Sequence, residues 1–169
     1  MNIVILMLRL VHIFGGVFWV GAALLMSFFI SPTAGITAEN GQKFMQHLMG
    51  RTRFTTMMSA AGGSAVLAGI LLYLIDSGGF TSAWMKSGAG IGVGIGGVFG
   101  LIGFVFGIMI GSNNTALSNL GAQIQGQPTP EQLAQIAAIR KNLSMVTPIH
   151  TWALILATLF MASARYFFF

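Results

Sequence analysis

The sequence predicts an all-α protein, a four-helix transmembrane bundle carrying two short interfacial amphipathic helices. Three observations lead there. Of 169 residues, 55% are hydrophobic and only 7% charged, and the mean hydropathy of +0.83 lies outside the range of a water-soluble domain. Four apolar runs are long enough to cross roughly 30 Å of hydrocarbon at about 1.5 Å per helical residue. In one of them glycine recurs every fourth residue, a spacing that lets helix backbones approach closely in lipid.

The predicted spans are 3–30, 54–75, 88–111 and 148–168, in a single integral membrane domain over 1–169. The first has the outline of a signal peptide, with Arg9 near its start and small residues such as Ala34 after it. Its uncharged stretch is too long for a signal core, so a retained span is expected. After it, Thr37 is expected to cap a helix over 38–50, in which Phe44, Met45, Leu48 and Met49 form an apolar stripe while Lys43 and Arg51 meet lipid headgroups.

The third span carries Gly92, Gly96 and Gly100, then Gly103, Gly107 and Gly111 on a shifted face. This ladder predicts a place at the centre of the bundle, or a contact with a larger membrane complex or a second copy through Gly92, Gly96, Gly100, Gly103 and Gly107. Gly62, Gly63 and Gly69 of the second span offer a matching smooth surface. Gly92 to Gly97 also fits the dinucleotide pattern G-x-G-x-x-G. No strand precedes it and no acidic residue follows at the required distance, so packing is the better reading. Ahead of the fourth span, Thr129-Pro130-Glu131-Gln132 has capping-box spacing with proline at the first helical position. Leu133, Ile136 and Leu143 follow on one face, predicting the second interfacial helix over 130–142. Thr147-Pro148 repeats the cap-plus-proline signal, predicting a new or kinked helix entering the membrane.

Charge and residue types narrow the function. With no cysteine, disulfides, thiolate ligands and iron–sulfur clusters are excluded. The net charge of +5 sits at span ends, which disfavours nucleic acid as a partner. Lys43, Arg51, Arg53, Arg140 and Lys141 outnumber Arg9, Lys86 and Arg165 on the other side, so the positive-inside rule favours both termini outward; the membrane itself is expected to be a bacterial cytoplasmic (inner) membrane. Glu39 and Glu131 fall in loops and Asp76 stands alone at a helix end, a poor set for proton-coupled transport. No serine–histidine–acid set or phosphate loop supports hydrolase or NTPase chemistry.

The candidate site centres on His12, an ionisable ring inside an apolar run; an intramembrane polar group needs a partner. Arg9, Gly15, Gly16 and Trp19 lie on or near its helical face. A b-type haem needs an imidazole for iron, a gap for the macrocycle and a cation for its propionates, which His12, Gly16 and Arg9 supply in turn. With Arg9 and Arg165 taken at one interface, His12 lies about 4.5 Å inward and His150 about 22 Å inward, which disfavours a bis-histidine haem. Met161, about 6 Å inward of Arg165, and Tyr73, about 4.5 Å inward of Asp76, fall in the His12 layer, with Met161 the better axial candidate. A purely structural reading has His12 bonded to Tyr73 or a backbone carbonyl and Asp76 paired with Arg9 or Arg165. His150, beside Trp152, reads as an interfacial anchor. Met45, His47 and Met49 are spaced two apart, which turns neighbours away from each other on a helix and disfavours a Cu(I) triplet.

His12, Trp19 and Gly21, in the pattern L-x-H-I-x-x-x-x-x-W-x-G, resemble the first helix of the copper-resistance D-type membrane proteins. The same residues are similar to those of the four-helix, haem-linked protoporphyrinogen oxidases. The resemblance to the oxidases implies that His12 binds haem b. Lys43-Phe44-Met45-Gln46-His47-Leu48 is similar to the short helix after their first span. No intramembrane lysine matches the oxidases' second functional position, since Lys86 lies at a span edge, and the fourth span lacks their acidic entry motif. The expected function is haem b binding for electron transfer or haem handling. One alternative is a cofactor-free accessory subunit of a larger membrane complex. A second is copper passage along Met45, Met49, Met57 and Met58.

Overall fold

The computed structural model describes residues 2–124 and 126–167, and among them there is helix and no strand. α1 (Ile3–Leu25) runs through a π turn at Met26–Ile30 into α2 (Ser31–Ile36), and the three form one apolar span, Ile3–Ile36. α3 (Ala38–Arg51) folds back at that end. α4 (Phe54–Asp76) returns, and a tight loop with a short 3-10 turn at Ala83–Lys86 leads into α5 (Gly88–Gln123). α6 (Pro130–Ser163) closes the bundle with a 3-10 turn at Ala164–Tyr166. Four helices are thus long and apolar enough to cross a membrane. The ends of the bundle are distinct: one holds the start of α1, the end of α6 and the α4–α5 loop, the other holds α3.

Several boundaries differ from expectation for one physical reason. Hydropathy marks where lipid contact ends, whereas a helix ends where backbone bonding or residue propensity fails. The first span does not stop at Ile30 but continues to Ile36. Thr37 stands at the N-cap position of α3 as expected, but its side chain makes no capping bond, and its hydroxyl donates back to Thr33 O at 2.9 Å. α5 continues twelve residues past Gly111 to Gln123. The second interfacial helix, 130–142, does not exist separately: it is the first part of a 34-residue α6. Between Gln132 and Thr147 there is no glycine or proline to stop it, and Asn142 donates to Asn113 Oδ1 at 3.3 Å, tying the extension to α5. The cap-plus-proline signal at Thr147-Pro148 starts no new helix; Pro148 lies inside α6, the position that the kinked-helix alternative gives it. Thr151 Oγ1 also donates to Thr147 O at 2.9 Å, one turn back. The predicted end of the fourth span, Phe168, lies outside the described residues.

The capping box at the start of α6 is present in full. Gln132 N donates to Thr129 Oγ1 at 3.3 Å and Thr129 N to Gln132 Oε1 at 2.9 Å. Thr129→Ala is therefore expected to cost about 1 kcal/mol of local helix stability. Amide exchange over 130–136 checks this, with faster exchange confined to that turn.

Packing divides the bundle into two extensive antiparallel pairs, α1 with α4 and α5 with α6, joined mainly by α4 on α5. A small buried cluster of Trp19, Ala23 and Leu154 lies where the pairs meet, with Met58 and Phe104 against it. Outside the seams, Phe14, Val17 and Leu67 are more than 65% exposed, a surface that suits lipid.

The α5 ladder is filled from within the chain. A Cβ on Gly92 would lie 2.6 Å from Phe167, one on Gly96 2.7 Å from Met161, one on Gly103 2.7 Å from Leu154 and one on Gly107 3.1 Å from His150. Gly100 faces Met161 Cε at 4.0 Å. From Gly92 to Gly107 the ladder is thus a seam for α6, whereas Gly111 has nothing within 4 Å. Gly62 and Gly69 face α1 rather than α5, and Gly63 has nothing within 4 Å.

Candidate functional site

α1 places two bulky side chains seven residues apart over two glycines seven residues apart on antiparallel α4. Trp19 lies on Gly62, where a Cβ would be 3.2 Å from the indole, and His12 lies on Gly69, where a Cβ would be 2.8 Å from Cε1. Gly15 between them brings the backbones together, since its Cβ would come within 2.9 Å of Ala61 O. This register carries the half-buried His12 ring to Ala65 O, to which Nδ1 donates at 2.7 Å. That carbonyl is one turn before Gly69. A side chain at Gly69 would stand in the way of the imidazole.

The same device recurs on the other pair. His150 Nδ1 donates to Gly103 O at 2.7 Å, and the glycine one turn further on, Gly107, makes room for the ring. His150 is 5% exposed and sits 6.0 Å, centroid to centroid, from Trp19. It is not an interfacial anchor but a buried ring within the helix body; Trp152 beside it is 61% exposed. Trp19 also meets Phe104 edge-on at 6.0 Å, and Ser27 and Thr151 share a 2.8 Å hydroxyl bond between the first span and α6.

A carbonyl accepts only from a protonated nitrogen, so both histidines carry hydrogen on Nδ1 when neutral and present Nε2 as a lone pair. An imidazole held by Nδ1–H···O=C is the usual form of a metal or haem ligand, because the bond fixes tautomer and ring orientation. Nearby, Gly16 has nothing within 4 Å of an added Cβ, and Arg9 is exposed with no ion pair among the described residues.

The remaining predicted site residues go elsewhere. Tyr73 does not bond His12: it packs over Gly94 and against Trp84 at 5.5 Å and Phe80 at 6.1 Å. Met161 fills the α5–α6 seam. Arg165 donates to the hydroxyl of Tyr166 and stacks on its ring at 4.7 Å. Asp76 forms no ion pair with Arg9 or Arg165; among the described residues the one salt bridge is Lys43 to Glu39 at 2.6 Å, and Lys43 holds that carboxyl below the usual range. No cluster of three or more His, Asp or Glu side chains suited to a metal ion occurs among the described residues. His47 is exposed while Met45 and Met49 are half-buried, so the methionine–histidine triplet does not converge. Sequence reasoning missed His150 as a buried site and the glycine notches under both rings. The signal was present in the paired spacing of Gly62 and Gly69 with His12 and Trp19. Compared with protein families, curated proteins and solved structures, the chain matches none.

Proposed function

We propose that this is a small integral protein of the bacterial cytoplasmic membrane, both termini outward, that holds one b-type haem through His12 and serves electron transfer or haem handling. The observation that carries the reading is the 2.7 Å bond from His12 Nδ1 to Ala65 O, which leaves Nε2 as a ligand lone pair. The open space at Gly16 suits the approach of a planar macrocycle, and Arg9, exposed and with no ion pair among the described residues, suits a propionate at the membrane edge. Because Met161 is packed into the α5–α6 seam, His12 is the ligand on which the proposal rests. When bound, haem supplies one-electron chemistry between ferric and ferrous iron. The protein's part is to fix the imidazole and keep the ring in an apolar setting.

The charge distribution supports the orientation, since the α3 end carries Lys43, Arg51, Arg53, Arg140 and Lys141. For a cofactor-free accessory subunit, the glycines left open include Gly16 and Gly21 on α1, Gly63 on α4 and Gly97 and Gly111 on α5, the ladder from Gly92 to Gly107 being packed on α6. Copper passage draws less support: Met57 is 51% exposed, whereas Met58 packs on the Trp19 cluster.

Titration of the detergent-purified protein with hemin tests the reading. One equivalent per chain is expected to saturate a Soret shift, His12→Ala to abolish it and His150→Ala to retain it. An unchanged titration in folded His12→Ala would remove the assignment.

A further inference from the structure

A cavity of about 240 Å³ opens at the α3 end, lined by Met49, Gly50, Thr55, Asn114, Ser118 and Asn119. Its depth follows from the sequence on either side. The apolar stretch of α4 begins at Phe54 and that of α5 ends at Gly111, so Thr55 lies at the hydrocarbon edge and Asn114 to Asn119 just beyond it, at headgroup level. Its donors are poorly used. The amide of half-buried Asn114 reaches only the sulfur of Met49, at 4.0 Å, and Thr55 Oγ1 makes a long 3.4 Å bond to Met49 O. Gly50 keeps the space open, since a Cβ there would come 2.9 Å from Ser118 Oγ. Arg51 and Arg53, which lie in the chain between the lining residues Gly50 and Thr55, are exposed and have no carboxylate partner among the described residues.

We propose that this cavity binds the phosphate-bearing headgroup of an acidic phospholipid, with the amides and hydroxyls as neutral donors to the phosphate oxygens and Arg51 and Arg53 as the counter-charges. Neutral donors lining the cavity and exposed cations beside them in the chain fit an anion that arrives along the membrane surface. This proposal is independent of the haem reading.

Native mass spectrometry of the full chain in mild detergent tests it, with dioleoylphosphatidylglycerol, dioleoylphosphatidylcholine and inorganic phosphate as probes. The phosphatidylglycerol adduct is expected to survive where the phosphatidylcholine adduct is lost, and millimolar phosphate is expected not to displace it. Asn119→Leu, which fills the cavity, removes the adduct. The surface pair Arg51→Gln/Arg53→Gln, which leaves packing untouched, weakens it about thirtyfold, at about fivefold per arginine. Equal retention of the two lipids, or wild-type binding by either variant in folded protein, overturns the proposal. Displacement by inorganic phosphate overturns the lipid as the source and assigns the cavity to free phosphate.

Discussion

Gly96→Leu is expected to separate α5 from α6 and to leave little folded protein after extraction into detergent. A Cβ at this position would lie 2.7 Å from Met161 Cγ, 3.1 Å from Ala157 O and 3.2 Å from Met161 N. Two of those three neighbours are backbone atoms of α6, so the clash cannot be relieved by turning a side chain. Overpacking an ordinary core costs about 1–3 kcal/mol. With backbone opposing backbone, the upper end of that range applies, because the helices must move apart and lose the dispersion contacts that hold them together in lipid. Gly97→Leu is the matched control, since Gly97 has nothing within 4 Å. Thermal unfolding by circular dichroism should give a large downward shift for Gly96→Leu and almost none for Gly97→Leu. Equal shifts would show that the seam is not where the ladder's close packing is used.

The second large effect is expected at Gly69. A leucine there meets His12 Cε1 at 2.8 Å and Nδ1 at 2.9 Å from its Cβ alone, so the ring must leave Ala65 O. The lost hydrogen bond costs about 0.5–1.5 kcal/mol and the overpacking about 1–3 kcal/mol. The tautomer also ceases to be fixed. Ring nitrogen shifts of His12 in ¹⁵N spectra should therefore change from those of a neutral Nδ1–H imidazole to those of a tautomer mixture, and hemin binding should weaken with them. Gly63→Leu, on the same helix with open space above it, should alter neither. A variant at Gly69 that keeps the native His12 signals would mean that the notch does not hold the ring.

What was legible in the sequence follows from how membranes constrain a chain. Four spans are readable because each requires a long uncharged run, and the ladder is readable because glycine at every fourth residue has few other uses in lipid. The partner of the ladder was not readable. Gly96 packs on Met161 and Gly107 on His150 through an antiparallel register that no local pattern encodes. Thr129 announced its helix correctly through the capping box. Thr147-Pro148, a similar signal, starts nothing, because a proline inside a packed membrane helix is tolerated as it would not be in water. That misreading put His150 at the interface, although the structure buries it against Trp19 and Gly103 O. For His12, the sequence showed that a partner was required. The identity of that partner, Ala65 O, depends on small residues more than fifty positions away, at Ala65 and Gly69, that let the two helices close.

The most direct test of the central claim is an ultraviolet–visible spectrum, oxidised and dithionite-reduced, of the protein purified in mild detergent without added cofactor, taken beside His12→Ala. The account predicts sharp reduced alpha and Soret bands in the wild type and their loss in the folded variant. A featureless wild-type spectrum from folded protein, or bands that persist without His12, would contradict it.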